Sequence, residues 1–195
     1  MLKARFFTLI LTWGFAPLSA HSTILLDLSK QISKVEFFAV GKPSSIKING
    51  TGGKLTGNLE IEKNQVKGQF KVKLDEFTTG IALRDQHMKE KYLEVSKFAE
   101  ATFEIEKIEL PEDFLSTKKI YSNVPFEGKF SLHGVEKKLK GIAEVDTRKD
   151  NPAVVTEFKV LVSDYKIDIP TYLGIKVADE VTVKTTVNLN FVKQE

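Results

Sequence analysis

The chain has 195 residues, of which 42% are hydrophobic and 28% charged, with a formal net charge of +3 and no cysteine. These figures fit one globular domain with a core of ordinary size and exclude a disordered or fibrous chain. Without cysteine there are no disulfides, no thiolate metal sites, no cysteine nucleophile and no lipid anchor on an N-terminal cysteine.

Residues 1–20 differ from the rest. Lys3 and Arg5 give a short positive start, Phe6 to Ala16 is apolar apart from threonines and a glycine, and Ser19-Ala20 supplies small residues. This pattern predicts a signal peptide cleaved after Ala20, leaving residues 21–195 as the mature domain. The apolar stretch falls short of the roughly 20 residues a spanning helix needs, and no second candidate follows, so no transmembrane anchor is expected. Removing Lys3 and Arg5, with no acid, lowers the net charge from +3 to +1. A chain so balanced has no electrostatic footprint for nucleic acid or a strongly anionic membrane.

From about residue 31 onward apolar residues recur every second position, the period of strands with one buried face. Runs at 34–40, 45–51, 55–62, 65–75, 101–110, 124–133, 138–146, 153–163 and 180–192 predict eight or nine strands. In 65–75, Val66, Gly68, Phe70, Val72 and Leu74 share the inward face, with Lys67, Gln69, Lys71, Lys73 and Asp75 opposite. In 124–133 the inward set is Val124, Phe126, Gly128, Phe130 and Leu132. His133-Gly134 then turns the chain into 138–146, where Leu139, Gly141, Ala143 and Val145 face in, making a hairpin. Residues 82–93 break the alternation. They lack Gly and Pro, place Leu83, His87 or Met88, and Tyr92 at helical spacing, and predict a short helix across one end. Asp164 to Asp179, with Pro170 and Gly174, predicts a helical turn or long loop before the last strand. Short strands joined by brief connections predict an all-β antiparallel fold, either a sandwich or an up-and-down barrel of eight strands, and the barrel is favoured because closure removes exposed edges.

Four segments carry a family resemblance: Ile32 to Phe37; Thr78-Thr79-Gly80 with Arg84-Asp85-Gln86-His87-Met88, Leu93, Phe98 and Ala101-Thr102-Phe103; Phe130 to Val135 with Lys137-Lys138; and Ser163-Asp164-Tyr165, Ile167, Pro170, Gly174, Val177, Asp179 and Val181. In this order they span nearly the whole mature chain, which resembles the YceI-like family. The resemblance implies a lipocalin-like antiparallel barrel with a cap helix, an exported periplasmic protein (secreted where there is no outer membrane), and a lumen that holds a polyisoprenoid or quinone-like chain.

Arg84, Asp85 and His87 place a cation, an acid and a base within four residues, yet no nucleophile lies near them in sequence. Arg84 and Asp85 are expected to lock the cap to the barrel rim, with contact to a ligand head group as the alternative. His21, His87 and His133 are the only histidines, and their spacing fits no metal motif, so neither metal nor cofactor is expected. His133 is expected to be solvated or to stabilise its turn. Eleven phenylalanines remain after residue 20. Phe70, Phe103, Phe126, Phe130 and Phe158 share the inward phase with Gly68, Gly128, Gly141 and Ala143, which are expected to leave space beside the rings. An eight-stranded barrel is just wide enough to be filled by side chains or to hold one small ligand. With the resemblance added, the expected function is a carrier of a long apolar lipid bound by burial, with Arg84, His87 and Asp179 at the mouth and Gly128 beside the ligand. Two rivals stand against it: an enzyme using Asp85 and His87 at the barrel mouth, and a filled-barrel, stress-related interaction protein.

Overall fold

The computed structural model describes residues 23–42, 46–114, 116–172 and 174–190. Twelve β-segments make one antiparallel sheet: β1 (Thr23–Asp27), β2 (Ile32–Lys42), β3 (Lys47–Gly52), β4 (Thr56–Glu62), β5 (Gln65–Lys73), β6 (Glu100–Ile108), β7 (Ile120–Leu132), β8 (Val135–Asp146), β9 (Ala153–Leu161), β10 (Thr171–Tyr172), β11 (Ile175–Val177) and β12 (Glu180–Asn188). Their order is β1-β4-β5-β6-β7-β8-β9-β12-β2-β11-β10, with β3 also paired to β2. The sheet curls into a lipocalin-like half-barrel.

The count of twelve against an expected eight has a simple origin in the register. β1 pairs with β4 from Thr23↔Glu62 to Asp27↔Asn58, and β2 pairs with β3 from Val35↔Gly52 to Val40↔Lys47. β1 and β2 are therefore one stave bent at the 3-10 turn Leu28–Lys30, and β3 and β4 are a second stave bent at the Gly52–Leu55 corner. With β5 to β9 and β12 these give eight staves, and β10–β11 is a small ribbon hung on the end of β2. The ribbon lies where the sequence predicts a turn or loop. Two residues paired with two leave little periodicity to read. The corner is stitched by a reciprocal pair: Thr51 N–H donates to Thr78 O and Thr78 N–H to Thr51 O, both at 2.9 Å.

The predicted inward phases hold. On β7, Val124, Phe126, Gly128, Phe130 and Leu132 are all buried, and on β8 so are Leu139, Ala143 and Val145. β7 and β8 are joined by the two-residue turn His133-Gly134, both at positive φ (50° and 72°) as a type I′ turn requires. His133 is not solvated as one branch of the expectation had it. Its side chain is 9% exposed, and its ring lies 4.4 Å from that of Phe98, centroid to centroid. Nδ1 sits 3.1 Å from Tyr165 O and Nε2 3.0 Å from Glu94 Oε2, so the turn is stitched to two other segments.

The predicted helix at 82–93 forms as α1 (Ala82–His87) followed by a π-helical turn, Met88–Tyr92. Residues 1–20, expected to be a signal peptide, His21 and the last residues of the 180–192 run lie outside the described residues.

Candidate functional site

The interior divides along the barrel axis. Toward the hairpin ends Glu62–Gln65 and Asp146–Ala153 it is filled by Leu26, Leu28, Ile61, Ile105, Tyr121 and Val145, all buried. Phe103, Phe126 and Phe158 close this half with a triangle of rings: Phe103–Phe126 at 5.6 Å and Phe126–Phe158 at 6.3 Å are edge-on, and Phe103–Phe158 is stacked at 6.4 Å. On the other side of this floor lies a cavity of about 220 Å³ with a wholly apolar exposed wall. An apolar cavity of about 150 Å³ already stays dry and takes a benzene-sized guest, so this one is suited to an apolar occupant.

Of the residues expected to form the site, Phe70, Phe103, Phe130, Phe158, Arg84 and His87 line the cavity. Phe126, Gly128 and Asp179 do not. Phe126 belongs to the ring triangle of the floor but not to the cavity lining, and its ring lies over Gly141: a Cβ on Gly141 would come within 2.4 Å of Phe126 Cζ. Contrary to the expectation from its phase, Gly128 does not border open space. A Cβ there would meet Glu104 O at 2.2 Å and the Phe103 ring at 2.7 Å, so aromatic rings and the neighbouring strand occupy the room that the glycines leave. Gly68 behaves alike: a Cβ there would meet Asn58 O at 2.2 Å. Asp179 accepts from Ser163 N–H at 2.9 Å and from Ser163 Oγ at 2.6 Å, tying the start of β12 to the 3-10 turn Val162–Tyr165. Those hydrogen bonds hold its carboxyl below the usual carboxylate range.

Several lining residues were not singled out by the sequence. Phe37 on β2 and Phe77 after β5 meet at 5.8 Å in the wall, and Val183 on β12 stands between Phe37 and Phe158 in register. Period two in 34–40 and 180–192 could have found Phe37 and Val183. Phe77 sits just after a 3-10 turn, where no periodicity points inward.

The roof is the cap. Arg84, His87, Met88 and Tyr92 turn one helical face onto the cavity, and His87, which is exposed, marks where it reaches solvent. Arg84 and Asp85 converge on one residue rather than on each other. Arg84 donates from Nε to Thr79 Oγ1 at 2.7 Å and from Nη2 to Thr79 O at 2.9 Å. Asp85 accepts from Thr79 N–H at 2.7 Å, from Thr78 Oγ1 at 2.5 Å and from the Thr79 hydroxyl. Partial burial opposes ionisation of Asp85, but the hydrogen bonds from Thr78 and Thr79 outweigh it and the carboxyl is held below its ordinary value. The lock is thus made of hydrogen bonds to a threonine loop, with no ion pair needed. Tyr92 pins the far end of the cap, accepting from Thr171 N–H at 3.2 Å and donating to Thr171 O at 3.3 Å. Glu94, whose carboxyl is lowered by hydrogen bonds from Lys97 and His133, adds a third tether.

Asp85→Ala removes these acceptors and leaves Thr78 and Thr79 donors unpaired. We expect it to cost about 1–3 kcal/mol in thermal unfolding while ligand affinity, measured where both proteins are folded, changes little. Because Asp85, Glu94 and Asp179 have lowered folded-state values, their stabilisation is present above the ordinary carboxylate range and is lost as pH falls through the lowered values. An acid titration followed by near-ultraviolet circular dichroism should show tertiary loss below about pH 4, less steeply in Asp85→Asn.

A curled antiparallel sheet that encloses an apolar cavity under a helical cap defines a lipocalin-like small-molecule-binding barrel. The chain belongs to the YceI-like domain family, whose family model matches residues 19–189. It is similar in structure to a polyisoprenoid-binding domain from Saccharophagus degradans implicated in plant cell wall breakdown (14% identity, TM-score 0.64, covering 87% of this chain and 99% of that one). It is also similar to BcnA of Burkholderia cenocepacia (19% identity, TM-score 0.64, 84% and 99%) and to a YceI protein of Campylobacter jejuni (19% identity, TM-score 0.52, 70% and 81%). No curated protein sequence matches the chain significantly.

Proposed function

We propose that this protein is a carrier that binds a polyisoprenoid, quinone-like or other long apolar lipid by burial in the barrel, without chemical conversion. The observation that carries this reading is the cavity of about 220 Å³, lined mostly by apolar side chains, roofed by the cap and floored by Phe103 and Phe158. An apolar chain entering it leaves water at roughly 25 cal/mol per Å² of surface removed, less the entropy of ordering it. The same fold in the Saccharophagus degradans domain, described as polyisoprenoid binding, supports this ligand class. Phe70, Phe103, Phe130 and Phe158 are the proposed contacts to the chain, and Arg84 and His87 the groups nearest a head group at the mouth. The enzyme alternative is disfavoured because Asp85 is committed to Thr78 and Thr79, turned to the loop and away from a substrate. The filled-barrel alternative is disfavoured by the cavity itself.

Export to the periplasm is part of the same proposal and rests on the charged start, apolar stretch and small residues of 1–20. N-terminal sequencing of the folded protein from its producing cell should begin near His21, and intact Met1 on most of that material would defeat the export reading. The ligand reading is tested by mass spectrometry of solvent extracts from the purified protein. An apolar chain in near-equimolar amount supports it, and extracts free of lipid from protein that also fails to bind added isoprenols would end it.

A further inference from the structure

Nine large hydrophobic residues are exposed among the described residues. Five of them, Phe38, Val40, Ile81, Leu83 and Leu161, lie within two positions of a residue that lines the cavity: Phe37, Ala39, Thr79, Arg84, and Val160 with Val162. The other four, Leu25, Ile32, Ile120 and Ile142, have no such neighbour. The two most exposed of the five open the cap. Gly80, Ile81, Ala82 and Leu83 form an unbroken exposed strip, flanked on either side by the lining residues Thr79 and Arg84, with Ile81 at 46% and Leu83 at 50% exposure. A Cβ added at Gly80 would meet nothing within 4 Å, so the strip borders open space there.

Opposite charges are mixed on this rim. Lys159 pairs with Glu180 at 2.8 Å and Lys137 with Asp164 at 2.6 Å, and on the cap Arg84, Lys89 and Lys91 alternate with Asp85 and Glu90. A surface with apolar tips and nearly balanced charges complements a neutral, zwitterionic lipid interface rather than a strongly acidic one. No helix of the described residues is long and apolar enough to cross a membrane, so contact would be at the surface.

We propose that the cavity rim, led by Ile81 and Leu83 on the cap, docks on a zwitterionic lipid surface, inserting its apolar tips so that the cavity mouth faces the acyl layer. This rests on the lipid-carrier reading and supplies what that reading needs, a route for an apolar chain that never crosses water.

The test uses residues 21–195, the proposed mature chain, with phosphatidylcholine vesicles, read by co-sedimentation, because the apolar start would itself insert. Wild type should associate with the vesicles almost independently of salt, and Ile81→Asp/Leu83→Asp should lose about tenfold or more of that association, because each exposed apolar side chain becomes a charge. Both positions are exposed, so thermal unfolding of the double variant should match wild type. Leu83→Trp supplies a second readout, since the chain's one tryptophan is Trp13: its emission should shift to the blue on vesicles. Equal sedimentation of wild type and double variant, no blue shift, or association only with anionic vesicles at low salt would overturn the docking proposal. So would a concentration-dependent dimer lost in the double variant without vesicle binding, which would assign the rim to a second copy of this chain. Loss of bound lipid from wild type itself is a different failure, that of the carrier reading, and the extracts separate the two.

Discussion

Gly128→Ala is expected to destabilise the barrel by about 3 kcal/mol or more, the upper range for overpacking a well-filled interior. A single methyl at this position would stand 2.2 Å from Glu104 O and 2.7 Å from the Phe103 ring. Phe103 cannot give way cheaply, because it stacks on Phe70 at 5.3 Å and meets Phe126 and Phe158 in the floor of the cavity. Glu104 O belongs to the backbone of β6, which carries a register shift between Ile105 and Lys107 opposite this part of β7. The methyl therefore has to move either a strand or the floor. Lys129→Ala, one residue on and pointing outward to a loose 3.7 Å pair with Glu104, should stay within about 0.5 kcal/mol of wild type. Urea denaturation of the two variants measures both. A Gly128→Ala protein as stable as wild type would mean that the Phe103 ring is free to move and that the floor is not a fixed wall.

That result bears on how the site reads from sequence. Alternation on 65–75, 124–133 and 138–146 assigned the inward faces correctly, because burial on one side of a strand imposes period two residue by residue. The expectation that Gly68, Gly128 and Gly141 leave open space beside the rings is overturned. What occupies the room is decided across strands: Phe103 from β6 lies over Gly128 of β7, and Phe126 of β7 over Gly141 of β8. No one-strand pattern reveals that a ring from the neighbour, and not a ligand, takes the space. Position along the axis was hidden for a similar reason. Phe126 and Phe130 have the same phase on the same strand, yet only Phe130 lines the cavity, since the boundary between filled and open halves falls between them.

The cap was legible in part. Absence of Gly and Pro and helical spacing in 82–93 located it, and the rim-locking role expected of Arg84 and Asp85 agrees with their bonds to Thr79. Two of its three tethers join segments far apart in sequence, Tyr92 to Thr171 and Glu94 to His133, and such pairings have no local signature. Asp179 illustrates the converse: a carboxylate near the mouth in sequence is consumed by Ser163 on the adjoining turn.

The central claim is that an apolar ligand occupies the cavity above the floor, and Val183→Trp addresses it most directly. Val183 lines the cavity, is only partly buried, and lies in register between Phe37 and Phe158 in the middle of the wall. An indole there projects into open space, so the empty protein should melt no lower than wild type, or higher where the ring fills the void, with Val183→Phe as the smaller step. Ligand, by contrast, loses the volume it needs. Calorimetric titration of delipidated wild type and variant with a long-chain isoprenol should show a fall in affinity of at least about tenfold for Val183→Trp, roughly the 1.4 kcal/mol of a partly forfeited apolar contact, and an intermediate fall for Val183→Phe. Wild-type affinity in a folded Val183→Trp protein would contradict the account and place the ligand, if there is one, elsewhere on the molecule.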